Sequence, residues 1–373
     1  MSSMETLVIP DGLRTWAEID HAALRHNLGF VRSKIGPSHG ILAVIKANAY
    51  GHGAVETART LAPETAIFGV ANLNEAHEVQ SAGTGRDIMI LSPCLPGERG
   101  DAVEAGHIVT VSSADETAAF ARFGKIRVNF KVDTGMGRIG CQERNATTEL
   151  RRLLDIPNAT LHSVSSHLPS ADEDGQFTSE QLARFAALKA DLRALVPEAK
   201  FHSLNSAGIL NHPEHAGDVS RPGLTLYGCT TVPAFAENLR PVLSWRARIV
   251  LVRDLPAGAT VSYGRTYTAA RPIRTAIVPV GYADGFPRHA SGNGAGVIVR
   301  GIPCPVIGRV TMDQIVIDAT AVPAIQEGDI ATLIGRDGSA SITANELARQ
   351  SDTIAWDILT GIGRRVTRFH LGT

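Results

Sequence analysis

The 373-residue chain is 44% hydrophobic and 20% charged, with a formal net charge of −1. That balance belongs to a globular protein long enough for two domains, or for one barrel with an appendage. It excludes the basic footprint of a nucleic-acid binder, and no apolar run is long enough to form a membrane-spanning helix.

The opening segment MSSMETLVIPDGLRTW has no basic head followed by an apolar core, so no signal peptide is expected. Cys94, Cys141, Cys229 and Cys304 are scattered, with no C-x-x-C pair and no histidine at ligand spacing. Neither a disulfide framework nor a structural metal is expected, and the reading is a reduced, cytoplasmic protein. The pairs Arg151-Arg152 and Arg364-Arg365 stand isolated and read as solvated faces.

In chain order, HAALRHNLGFVRSKI reads as a helix capped by Asp20 or a neighbour. Eight β-rich runs follow: 41–47, 66–71, 87–91, 107–112, 126–133, 160–167, 201–206 and 218–223. The fourth and eighth are weakly marked. Helical patterns separate them, such as 175–196, where Leu182, Phe185, Leu188, Leu192 and Leu195 share one face. Strands alternating with helices imply right-handed βαβ units. Eight such units predict an α/β fold with a closed, TIM-like (β/α)8 barrel.

After about residue 240 the texture changes. Val/Ile-rich alternating runs, separated by Gly, Pro and Asp turns, predict a mainly antiparallel β domain. The expected division is 1–240 for the barrel and 241–373 for the β domain, with residues up to about 16 packing against the latter.

In such barrels, active sites lie at the C-terminal ends of the strands. Polar residues gather there in this sequence. Strand one ends at Lys46, and strand five leads into KVDTGMGRIG with Arg138. Strand six ends at His167, strand seven at Asn205-Ser206, and strand eight at Arg221-Pro222-Gly223. Glycine and a hydroxyl beside a helix start could receive a phosphate, although a single such loop is more often a plain turn. A lysine at a strand end is ordinarily a snorkelling cation. Held in a pocket, its amine can lose a proton and form a Schiff base.

The segment AVIKANAYGHG resembles the pyridoxal-phosphate lysine segment of the alanine racemases. KVDTGMGRIG, SSHLPSADE, NSAG, RPGLTLYG, VSYGRTY, GYADGFPR and IGRVTMDQ are similar to that family's other motifs, in its order and over essentially the whole chain. The resemblance implies an isomerase that interconverts L- and D-alanine, with pyridoxal 5'-phosphate carried on Lys46. Lys46 and Tyr263 would act as the two catalytic acid/bases on opposite faces of Cα.

A phenol is ordinarily a poor base near neutral pH and needs nearby cations or hydrogen bonds. By resemblance, His167 and Arg221 help supply that setting, and Arg221 faces the pyridine nitrogen. Arg138 and the backbone of Met312 would hold the substrate carboxylate. Tyr50, Asn205, Ser206, Gly223, Leu224 and Trp356 would bind the cofactor, chiefly its phosphate. Asp172, Tyr282, Arg288 and Arg309 would line the substrate corridor. Lys131 matches a lysine that is often carbamylated, against the plainer reading of an ordinary salt bridge. No metal is implied. The family pattern also implies a homodimer whose sites each combine the barrel of one subunit with the β domain of the other, and Asp313 would help assemble that interface. D-alanine supply for peptidoglycan is the implied cellular role.

Three departures stand out. Trp356 replaces a usual tyrosine, and tryptophan has one N–H donor and no hydroxyl. Thr311 stands where cysteine is common, and Pro169-Ser170 differs near the corridor. Trp356 leaves open a serine or broader small-amino-acid racemase. A carrier of the cofactor without turnover would lack the β domain and its tyrosine.

Overall fold

The structure is a computed structural model and describes residues 9–373. Residues 1–8 of the segment expected to join the β domain lie outside the described residues. The chain divides into two units. One holds 24–49 and 53–240, and the other holds residues up to 23, 50–52 and 241–373.

The first unit contains the eight predicted strands, all parallel to their neighbours. Their order is Val219–Ser220, Gly40–Val44, Ile67–Val70, Asp87–Ile90, Ile108–Val111, Ile126–Asp133, Ala159–Ser165 and Lys200–His202. Backbone bonds draw the two ends of this sheet together. Asp218 N–H donates to Phe201 O at 2.9 Å, and Arg221 N–H donates to Leu204 O at 3.0 Å. The result is a nearly closed parallel barrel. Closure depends on Gly217, because a Cβ there would lie 2.1 Å from Phe201 O.

The weakness expected of the eighth strand is real, since it keeps only two residues. The fourth, Ile108–Val111, is instead a regular, fully buried strand. Most of the parallel strands are buried on both faces and read as apolar runs, whereas Ile126–Asp133 and Ala159–Ser165 carry polar, partly exposed positions. One run of polar residues inside is paired strand to strand. Ser163 Oγ donates to Asn129 Oδ1 at 3.0 Å, Asn129 Nδ2 donates to Thr110 Oγ1 at 3.1 Å, and Thr110 Oγ1 donates to Ile90 O at 2.8 Å.

The helix Gly175–Arg193 forms as its periodicity predicts. Asp174 caps it by accepting from Phe177 N–H at 2.9 Å. Leu182, Phe185 and Leu192 are buried, and Leu188 and Leu195 are half-buried.

The second unit is a largely antiparallel sheet. Its strand Leu243–Arg248 alternates buried and half-buried residues, with Trp245 fully covered. That strand pairs antiparallel with Thr15–Asp20, which in turn pairs parallel with Thr367–Leu371. Asp20 Oδ1 accepts from Ala22 and Ala23 N–H at 2.8 and 3.0 Å, as expected of the cap of the helix His21–Ile35. Two short helices near the C-terminus, Ala344–Gln350 and Ala355–Gly361, accompany the strands of this mainly β unit. The first begins with a capping box between Thr343 and Glu346. Among the described residues, no helix is long and apolar enough to cross a membrane.

Candidate active site

Lys46 was expected at the end of the first strand. That strand stops at Val44, and Lys46 instead opens a single helical turn, Lys46–Gly51. The turn is left-handed: φ is 51°, 53°, 51° and 52° at Ala47, Asn48, Ala49 and Tyr50. Each L-residue costs about 1–2 kcal/mol in this region, so four in a row store strain that the surroundings must hold. Glu75 contributes, accepting from Ala47 N–H at 2.8 Å and Ala71 N–H at 2.7 Å. Asn48 Oδ1 accepts from Ala54 N–H at 2.9 Å. Burial and then the Arg138 charge hold the Lys46 amine below its usual range, against the opposing pull of Glu75.

At the mouths of strands five to eight lies a buried cationic hub. The Arg221 guanidinium donates to Ser166 O at 2.7 Å and Ser203 O at 2.9 Å. It also reaches His202 Nδ1 at 2.7 Å and His167 Nδ1 at 3.2 Å. Arginine can only donate, so both Nδ1 atoms accept and both rings are neutral with their proton on Nε2. Electrostatics agree. Burial first, and then Arg221, push both imidazoles well below their ordinary range. Burial brings Arg221 itself down to about 10, so it remains a cation at neutral pH. Lys131, on the strand Ile126–Asp133, is pushed well below the usual lysine range by burial and by Arg221 and Arg138.

Arg138 is exposed on its glycine-rich loop. Asp133 organises that loop by accepting from Gly135, Met136 and Gly137 N–H at 2.9, 2.8 and 2.9 Å. Burial works against the Asp133 charge, but those three donors and Lys131 outweigh it and hold the carboxyl below its usual range. Gln181 ties two strand mouths, donating to His167 O at 2.8 Å and Thr134 Oγ1 at 3.0 Å.

Ser206, Gly223 and Leu224, expected at a phosphate, lie together at the start of the helix Ser206–Asn211. The Ser206 hydroxyl accepts from Gly223 N–H at 2.9 Å and Thr225 N–H at 3.3 Å. Leu224 opens the 3-10 turn Leu224–Tyr227, where first-turn N–H groups have no partner within the helix. Asn205 plays a different part with its side chain. It accepts from Gly208 N–H at 3.0 Å and donates to Leu168 O at 3.0 Å, fixing the helix start. Asp172 is half-buried in the turn after strand six.

The β unit brings its own set together around the segment 309–312. Ser262 Oγ donates to Arg309 O at 2.6 Å, which anchors the turn bearing Tyr263. Tyr282 N–H donates to Thr311 O and Ala283 N–H to Met312 O, both at 3.0 Å. Ser291 Oγ donates to Arg288 O at 2.6 Å and accepts from Val310 N–H at 2.9 Å. Thr311 closes the loop by exchanging bonds with Gln314 at 2.7 and 3.1 Å. Asp313 pairs with Arg365 at 2.8 Å, and Arg365 also meets the buried Asp284 at 3.1 Å. Tyr263, Tyr282 and Met312 are 73%, 44% and 52% exposed, so this unit presents them outward.

In the same unit, Trp356 acts on the buried Tyr50 hydroxyl. Burial pushes that phenol up to about 12, with Trp356 pulling the other way.

With this geometry in place, comparison with known proteins is direct. Residues 19–231 match the family model "Alanine racemase, N-terminal domain", and 242–370 match "Alanine racemase, C-terminal domain". The chain belongs to the alanine racemase family. It is 41% identical to the alanine racemase of Symbiobacterium thermophilum, covering 97% of this chain and 98% of that one. It is 38% identical to that of Halothermothrix orenii, over 95% and 96% of the two chains. The crystal structure of alanine racemase from Streptomyces lavendulae superposes with a TM-score of 0.89 at 37% identity, covering 98% of both chains.

Several supporting residues in this alanine racemase fold had escaped the reading of strand ends: Glu75, Asp133, Gln181, His202 and Ser291. Asp133 alone carried a signal, since an aspartate two residues before a glycine commonly closes its own turn. The others each make at least one bond across a longer separation, with Gln181 reaching back 47 residues to Thr134.

Proposed function

We propose that the chain racemises alanine with pyridoxal 5'-phosphate through two proton carriers, Lys46 and Tyr263, in sites shared between the subunits of a homodimer. The residues suit an anionic, phosphorylated cofactor. Lys46, Lys131, Arg138 and Arg221 outnumber the nearby carboxylates, and the Ser206 hydroxyl with the Gly223–Leu224 backbone would receive the phosphate, the Gly223 N–H now donating to Ser206. Lys46 would hold the cofactor covalently, with Tyr50 and Ser206 on its phosphate. When bound, the cofactor supplies an electron sink that acidifies the substrate Cα–H.

The chain's own residues do the rest. The Lys46 amine, held below its usual pKa, accepts a proton from one face of Cα more readily than an exposed lysine. Tyr263 serves the opposite face, so one group takes the proton while the other returns one. Arg138 and the Met312 backbone hold the substrate carboxylate, and the Asp133 bonds keep the Arg138 loop in place. Arg221 is clamped by two carbonyls and two neutral imidazoles and keeps its proton. Facing the pyridine nitrogen, it offers a hydrogen bond and no transferable proton. That favours return of the proton to Cα and disfavours transamination. Lys131 buttresses Arg138, and carbamylation would convert its disfavoured buried charge into an anion facing two arginines. Asp172, Tyr282, Arg288 and Arg309 guide the substrate in. A cytoplasmic enzyme supplying D-alanine to peptidoglycan is the cellular reading.

The observation that carries the proposal is the outward display of Tyr263 and Met312 on one unit, against the lysine and cation hub on the other. Complementation tests it. Lys46→Ala and Tyr263→Phe chains should each lose about 10²–10⁴-fold in racemisation. Mixed and allowed to exchange, they should recover activity, because one site of the heterodimer is then intact. Failure to recover, with mixed dimers demonstrated, would refute shared sites. Exchange of the Cα proton in D2O, offered L-alanine and L-serine, decides the substrate range.

A further inference from the structure

The bonds that Asp133 makes inside the Arg138 loop set its shape, and they leave its position on the barrel to groups outside it. Those groups stand on the helix Gly175–Arg193. Phe177, Gln181 and Arg184 follow one another at i, i+4 and i+7, so they share one face. Each of them meets the loop.

Thr134 is the root of the loop and is almost fully buried. Gln181 donates to its hydroxyl at 3.0 Å, and Arg184 donates to its carbonyl. The Thr134 hydroxyl also bonds the Ser166 hydroxyl at 2.6 Å. At its far end the loop returns to its own root. Cys141–Gln142 pairs with Val132–Asp133, and a Cβ on Gly140 would lie 2.6 Å from Asp133 N. Glu143 follows at once, and its carboxylate meets Arg184 Nε at 3.4 Å. One guanidinium therefore spans both ends of the loop. Between those ends Gly135 has φ +137°, and a Cβ there would lie 2.8 Å from the Phe177 ring. The ring closes directly on the backbone that leads to Arg138.

We propose that Arg184 is a positioning residue for the substrate carboxylate: by joining Thr134 O to Glu143 it fixes where the Arg138 loop stands. The inference rests on the reading of Arg138 given above, as the group that holds that carboxylate. Arg184 acts through Arg138. Arg184 and Glu143 are both partly exposed, so water replaces their pair at small cost to stability. A loop that has lost its outer anchor must be ordered when substrate binds, and that ordering weakens affinity.

The test uses the holoenzyme and propionate, which is alanine without its amine, with dissociation constants from calorimetric titration. Arg184→Met keeps the stem and removes the guanidinium. The propionate dissociation constant and KM for each alanine enantiomer should rise about five-fold, the fold-change of one ordinary hydrogen bond. The kcat should stay within about two-fold, and the urea midpoint should barely move. Arg184→Lys restores one donor and should recover part of the affinity. In an Arg138→Leu background, Arg184→Met should make no further change in propionate binding. Unchanged propionate binding in Arg184→Met overturns the proposal, as does an equal loss with and without Arg138. If Arg138→Leu leaves propionate binding unaltered, the carboxylate reading of Arg138 itself fails.

Discussion

Replacing Arg221 by leucine gives a two-part prediction. The guanidinium satisfies Ser166 O, Ser203 O, His202 Nδ1 and His167 Nδ1. Leucine leaves all four acceptors unpaired in the barrel mouth. Removing one partner of a buried charged network costs about 3–5 kcal/mol, partly relieved because a desolvated cation also disappears. Urea unfolding near pH 7.5 should therefore show a loss of about 3 kcal/mol or more. The second part concerns the imidazoles. Both have folded-state pKa values depressed below the ordinary histidine value of about 6.5, by burial first and Arg221 second. Folding thus favours their neutral forms, and the unfolded chain binds more protons below that pH. The stabilisation is complete above about pH 6.5 and falls by about 1.4 kcal/mol per ring for each pH unit of acidification, until the folded pKa is reached. Without Arg221 the folded pKa values rise, so the same decline should end sooner. Imidazole ¹⁵N spectra at pH 6 should show both wild-type rings neutral and protonated at Nε2. Protonated rings at that pH, or a stability loss below about 1 kcal/mol, would refute the hub as described.

Asp133→Asn should loosen the Arg138 loop by weakening three N–H bonds, raising KM for alanine more than it lowers kcat in steady-state kinetics. Gln181→Leu should cost about 1–3 kcal/mol in urea unfolding, because His167 O loses its buried donor. Gly217→Ala should prevent barrel closure, since its methyl would meet Phe201 O at 2.1 Å, and soluble yield together with circular dichroism would report it.

The legible part of this protein was the part written in local pattern. Eight β-rich runs, five of them ending in polar or glycine-rich residues, were enough for a barrel with a functional face. They were enough because parallel strands buried on both sides read as apolar runs, with Ile126–Asp133 and its Lys131 the exception. Alternation after residue 240 was enough for an antiparallel domain, because side chains there point to opposite faces at every step. The motif order named the family before any contact was known, yet it left the supporting atoms unread. That the residues after Lys46 wind left-handed depends on clamps at Glu75, Asn48 and Arg368, and propensity alone opposes such a turn.

The sequence by itself determined which chemistry-bearing residues exist and which strand ends present them. Only the tertiary structure decided their states. Arg221 forces two histidines to be neutral, Asp133 shapes the Arg138 loop, and burial raises the Tyr50 phenol. The physical reason is that protonation and hydrogen-bond direction are set by burial and by partners distant in sequence, and no local pattern encodes either.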